Sequence, residues 1–253
     1  MIQLNENKDS FLDIKNLSLE YIVNKNKFTP VKNISFKAKE YERLVLLGPS
    51  GCGKSTILKA VGGFIKPANG KIVLEGEEIT KPSIDRAFVF QEFDQLLAWK
   101  TVLQNVVFAI TITKRFKKND AEDLARVFLK KVNLSAFENS YPHQLSGGMK
   151  MRVAIARCLA LGSKMILMDE PFASLDAITR KKMQDDLLSL WEDSKFTMLF
   201  VTHSIDEAIK LGTKIIILSS NGGQIKKEIT VNSFTTKEEI SSIMYKNIPE
   251  YFI

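Results

Sequence analysis

Gly48-Pro-Ser-Gly-Cys-Gly-Lys-Ser55 fits G-x-x-x-x-G-K-[ST], a loop whose backbone N–H groups cradle nucleotide phosphates. Leu44-Val-Leu-Leu47 before it is an apolar run of strand length, and Thr56-Ile-Leu-Lys-Ala-Val61 after it reads as helix. The loop therefore joins a strand to a helix, the setting in which this motif binds phosphate. Gly48, Gly51 and Gly53 are expected to supply positive φ and close backbone approach. With Pro49, Ser50, Cys52 and Thr56 they form the predicted phosphate cradle at a helix N-terminus, where the dipole favours negative charge. Lys54 is expected to reach the β- and γ-phosphates, and the Ser55 hydroxyl to ligate Mg²⁺.

Three further stretches belong to the same chemistry. Met165-Ile-Leu-Met168 is a buried parallel strand ending in Asp169-Glu170, and open α/β sheets bind ligands at strand C-terminal ends. Asp169 is expected to hold Mg²⁺, directly or through water, and Glu170 to polarise an attacking water. Leu145-Ser-Gly-Gly-Met149 precedes a helix-forming stretch, 150–160. Ser146, Gly147 and Gly148 thus offer a hydroxyl and bare amides at a second helix N-terminus, a second anion site. One nucleotide has no use for two such sites, whereas two chains packed head-to-tail would let each close over the other's phosphates. His203 follows the apolar strand Met198-Leu-Phe-Val-Thr202 and precedes Ser204-Ile-Asp-Glu207, which has a capping-box pattern. His143 lacks such a setting and reads as a polar loop residue.

With these motifs in this order, residues 11 to 230 resemble the ATP-binding subunit of ABC transporters. The resemblance implies a P-loop α/β cassette with a mainly parallel core sheet. It also implies an N-terminal antiparallel β subdomain and an inserted helical subdomain. Gln91 then matches the Q-loop glutamine that contacts Mg²⁺ and the nucleophilic water. Ala173-Ser-Leu-Asp176 matches the D-loop that crosses the dimer interface, and His203 the switch histidine that contacts γ-phosphate. Tyr21 is expected to stack on adenine. The implied ligands are ATP and Mg²⁺, and the implied activity is transport-coupled ATP hydrolysis at the cytoplasmic face of the cell membrane. The implied partners are a second copy of the chain, a separate membrane permease and, indirectly, an extracytoplasmic solute-binding protein.

Met149 stands where many members carry Gln. It resembles the branch importing nitrate, sulfonates, taurine and related solutes, as does Leu96-Leu-Ala-Trp99 after Gln91, although that branch usually has proline at the position of Ala98. Phe93, Leu96, Leu97 and Trp99 form an apolar cluster expected either to receive the permease or to pack as core. A soluble ABC ATPase of iron–sulfur cluster assembly is the alternative, to be separated by co-purification.

Composition agrees with this reading. The 253 residues are 45% apolar and 26% charged, ordinary for a folded soluble protein. No stretch reaches the roughly 18 apolar residues of a membrane span, and no signal peptide is expected at the N-terminus. Cys52 and Cys158 are expected to be free thiols in a reducing compartment. The net charge of +7 is spread along the chain apart from a cluster at Lys114–Lys118, so a solvated basic surface is expected rather than a nucleic-acid site.

Alternating segments at 11–40 and 71–80 predict antiparallel strands, and apolar runs at 44–47, 86–90, 165–169, 198–202 and 214–218 a parallel core. The predicted organisation is an ATP-binding domain over 1–230, with its helical subdomain at about 100–160, and a helical tail over 231–253. Asn119 and Thr236 are expected to open helices.

Overall fold

The computed structural model describes residues 10–23, 26–90, 95–114, 116–220 and 222–245. The chain divides into two compact units, Met1–Pro82 with Thr197–Ile253, and Ser83–Phe196.

In the first unit, β1 (Leu12–Val23) pairs antiparallel with β2 (Asn26–Ala38) and with β4 (Asn69–Leu74), which carries the short β5 (Glu77–Glu78). Alternation in the sequence sets which side chains face inward: Ile34, Phe36 and Ala38 of β2 are buried while Asn33, Ser35 and Lys37 are not. The same unit holds a parallel core. Its centre is β3 (Arg43–Leu47), flanked by β8 (Thr197–Thr202) and β9 (Lys214–Leu218), with β10 (Ile225–Thr230) antiparallel on β9. These three parallel strands read as continuous apolar runs because both faces are covered. Leu44–Leu47, Met198–Val201 and Ile215–Leu218 are all buried. The helices are α1 (Lys54–Val61), α6 (Ile205–Leu211) and α7 (Lys237–Tyr245).

The second unit contains the parallel pair β6 (Arg86–Val89) and β7 (Met165–Asp169), with Val89 opposite Met168. Its helices are α2 (Val102–Ile112), α3 (Lys118–Lys131), α4 (Gly147–Ala160) and α5 (Ala177–Ser194). Side-chain caps start three of the four. Thr101 and Gln104 close a capping box at α2, Ser146 accepts from Met149 N–H at α4, and Asp176 accepts from Ile178 and Thr179 N–H at α5. At α7 the Thr236 hydroxyl accepts from Glu239 N–H at 3.2 Å. At α3 the structure differs from the expectation, since Lys117 precedes the first helical residue and no side chain caps it. No helix among the described residues is long and apolar enough to cross a membrane.

Candidate nucleotide site

The phosphate loop runs from β3 into α1, and its three glycines answer three different demands. Gly51, with φ of 78°, has nothing within 4 Å of a virtual Cβ, so only its backbone conformation calls for glycine. Gly53, with φ of 96°, is needed on both counts: a Cβ there would lie 2.8 Å from the Pro30 carbonyl oxygen. Gly48 corrects the sequence reading. It is not among the residues with positive φ, and its requirement is space, because a Cβ would sit 2.8 Å from Cys52 Sγ and 3.1 Å from Leu218 O. Lys54 is buried, and its Nζ donates to Gly48 O at 2.8 Å and Pro49 O at 2.9 Å. The ammonium is thereby held inside the curl of its own loop, with one of its three protons left over.

Register brings a second predicted residue to this edge. Leu47 pairs in parallel with Thr202, so the chain leaves both strands at the same end, and Gly48 and His203 are the next residues out. His203 is exposed and sits between two anchored neighbours. Thr202 is buried and its hydroxyl donates to the Glu207 carboxylate at 2.6 Å. Ser204 N–H donates to Thr202 Oγ1 at 3.0 Å, and Ser204 Oγ caps α6 by accepting from Glu207 N–H. From sequence Glu207 was expected only as the last residue of the capping-box pattern; its bond to Thr202 was not, because only the strand-to-helix turn brings the two together.

Tyr21 lies on β1 opposite Phe28 of β2 and is half-buried. Two residues beyond Phe28, the Pro30 carbonyl abuts Gly53, so this hairpin leans on the phosphate loop from the side.

In the second unit, the parallel pairing of Val89 with Met168 sends Phe90 and Asp169 out at one end. Gln91 and Phe93 lie outside the described residues, but Phe90 and Gln95 on either side of them are tied together. Gln95 donates its side-chain N–H to Phe90 O at 3.1 Å and accepts from Phe90 N–H at 3.2 Å. Arg157 of α4 donates to Gln95 O at 2.7 Å. Burial pulls the Arg157 guanidinium below its ordinary value, against the opposing pull of the Cys158 thiol. Neither Gln95 nor Arg157 carries a motif, so sequence reasoning missed both.

Asp169 and Glu170 are half-buried at the end of β7. Glu170 has φ of 43°, left-handed backbone that a bulky non-glycine residue adopts at a cost, and such outliers cluster at functional sites. Ser146 is exposed at the N-cap of α4, and Gly148 packs tightly beneath it: a Cβ there would meet Thr179 Cγ2 at 3.3 Å and Met183 Sδ at 3.4 Å. Gly148 therefore lets α4 approach α5, a packing demand the sequence reading had assigned to bare amides alone. Asp176 is exposed, and the hydrogen bonds from Thr179, side chain first and then backbone, hold its carboxyl below the ordinary range. Of the predicted apolar cluster, Leu96 is buried core and Trp99 is 73% exposed.

Comparison with known proteins agrees with this arrangement. Residues 31–173 match the family described as ABC transporter. The chain is 44% identical over 221 residues to an uncharacterized ABC transporter ATP-binding protein of Methanocaldococcus jannaschii, covering 87% of this chain and 82% of that one. It is 44% identical over 202 residues to the aliphatic sulfonates import ATP-binding protein of Bacillus thuringiensis subsp. konkukian, covering 80% and 78%. It is 39% identical over 236 residues to the taurine import ATP-binding protein of Pelagibacter ubique, covering 85% and 87%. Among solved structures, it resembles the dimeric form of MJ0796, a bacterial ABC transporter cassette, at TM-score 0.76 and 33% identity over 88% of this chain and 100% of that one. A post-hydrolysis state of that cassette with ADP and Pi also matches, at TM-score 0.75. A phosphate loop built as the motif requires, set in a cassette fold shared with these proteins, makes this chain a member of the ABC transporter family, an ABC ATPase.

Proposed function

We propose that this chain is the ATP-hydrolysing subunit of an importer for a small organic or anionic solute of the sulfonate, taurine or nitrate kind. It would work as a head-to-tail homodimer on the cytoplasmic face of the membrane, bound to a separate permease fed by an extracytoplasmic binding protein. The observation that carries the reading is the Gly48–Ser55 loop, with Lys54 buried in its curl, in a chain whose relatives include proteins named for sulfonate and taurine import.

The residues take these roles. Backbone N–H groups of the loop through Thr56 bind the phosphates, with Lys54 adding charge at the β- and γ-positions. Tyr21 stacks on the adenine. Ser55, Asp169 and the Gln91 amide oxygen are hard oxygen donors suited to Mg²⁺. When bound, Mg²⁺ neutralises charge developing on the transferred phosphoryl. Glu170 accepts a proton from the attacking water, Gln91 orients that water, and His203 holds the γ-phosphate. Ser146, Gly147 and Gly148 donate to the γ-phosphate of the partner copy's nucleotide, and Asp176 meets the partner across the interface.

The deciding experiment purifies the tagged chain from source membranes and measures ATP hydrolysis with and without captured partners. A multi-span polypeptide co-purifying with an ATPase that responds to a solute-loaded binding protein is the expected result. Capture of soluble scaffold proteins alone would replace transport with the assembly role.

A further inference from the structure

We propose that the α2 end of the second unit contacts anionic lipid directly, through a patch of cations interleaved with exposed apolar side chains. The inference goes beyond the importer reading because it gives this chain a bilayer contact of its own, whatever permease it serves.

Two exposed apolar residues, Phe108 and Ile112, lie four apart on α2 and so share one face of the helix. Their exposures, 38% and 59%, contrast with Val106, Ala109 and Ile110 of the same helix, which are buried. Phe116, just past the helix, is 46% exposed. Lys114 lies two residues past α2 in a left-handed conformation, φ of 55°, and opens the sequence Lys114-Arg-Phe-Lys-Lys118, four cations in five residues. Lys114 and Lys117 are exposed. The Lys100 ammonium lies 5.8 Å from the Phe108 ring centroid, adding a cation over the same apolar face. The acids that follow on α3 reduce this charge without cancelling it: residues 114–126 carry five cations against three acids, Asp120, Glu122 and Asp123, and the last two share Arg126 at 3.9 Å and 3.4 Å.

Charge decides the occupant. Lysine and arginine near an anionic leaflet each strengthen adsorption, and apolar side chains between them enter the headgroup–acyl boundary. A patch of this composition matches a fluid anionic interface, where no fixed anionic partner groups are required.

Sedimentation of the purified full chain with phosphatidylcholine vesicles, with and without phosphatidylglycerol, tests this without any permease. Adsorption is expected only with phosphatidylglycerol and should weaken as salt rises. The pair Lys114→Glu and Lys117→Glu should lower vesicle partitioning about tenfold or more, and Ile112→Ser with Phe116→Ser should also lower it, with the melting temperature unchanged in both. The control pair Lys66→Glu and Lys71→Glu, exposed lysines of the first unit, removes the same charge elsewhere and should change partitioning less than about twofold. Equal adsorption to both vesicle types, or equal loss in patch and control variants, overturns the proposal. So does a patch variant that binds vesicles normally but loses the detergent-solubilised permease, which would assign the patch to a protein partner.

Discussion

Two carboxylates one residue apart carry different burdens. Asp169 closes a strand in extended backbone, whereas Glu170 turns out of it at φ of 43°. Replacing Glu170 with Gln keeps the shape and the turn but removes the carboxylate proposed to accept the proton. Hydrolysis should fall by roughly 10² or more, while nucleotide affinity measured by a fluorescent ATP analogue stays within about threefold; near-normal turnover would show that another group takes the proton. The cysteines allow a sharper chemical test. Cys158 is buried, and burial pushes its thiol from the ordinary 9.0 up to about 12. The folded thiol thus stays protonated over a range where the unfolded one ionises. The unfolded state then binds fewer protons, so this group's contribution to stability falls as pH climbs from 9.0 toward about 12. Since the thiolate is the nucleophile, iodoacetamide at a pH of about 8 should leave Cys158 unlabelled in the native protein and label it after denaturation.

Among the elements, the turn over 97–101 that leads into α2 rests on one side chain. Asn105 is fully buried; its Oδ1 accepts from Leu97 N–H at 2.9 Å, and its Nδ2 donates to Leu97 O, Lys100 O and Thr101 O at 3.2, 3.1 and 3.0 Å. Asn105→Leu keeps the branching of the side chain but strips these partners, and should lower stability by about 2 kcal/mol, read as a drop in melting temperature. Trp99 projects from the turn so held. Its 73% exposure removes the core-packing expectation, so Trp99→Ala should barely move the melting temperature while weakening permease capture by about 2 kcal/mol. An early melt would contradict the exposed placement. Arg157, by contrast, ties α4 to the loop base through Gln95. Arg157→Met should cut turnover more than nucleotide affinity if the loop must be held for Gln91 to orient water. Parallel losses in stability and affinity would mark Arg157 as packing only.

For the whole molecule, the two anion sites predict their own geometry of assembly. Ser50 and Ser146 are both exposed, and each belongs to a loop expected to face the same nucleotide from different copies. Cysteines at both positions should form an ATP-dependent disulfide between chains, seen as a doubled mass without reductant; bonds only within one chain would rule out head-to-tail pairing. Ile178, 84% exposed two residues past Asp176 in the first turn of α5, is an apolar side chain suited to that interface. How much of this was legible in the chain follows from the range of the forces involved. The phosphate loop, the strand ending in Asp169-Glu170 and the helix starts at Ser146, Ser204 and Thr236 could be read directly. Each is fixed by hydrogen bonds and steric limits spanning only a few residues, and those limits are written in residue order. The apolar runs that became β3, β8 and β9 were equally visible, since strands covered on both faces must be apolar throughout. Register could not be read, and it is register that sets His203 beside Gly48. The need for Gly48 comes from Leu218, that for Gly53 from Pro30, and that for Gly148 from Met183. Likewise the bond from Arg157 to Gln95 joins residues 62 apart, and the burial of Leu96 beside an exposed Trp99 depends on which elements cover them. Contacts between distant segments are selected by packing the assembled chain at full density, so no local stretch of sequence contains them.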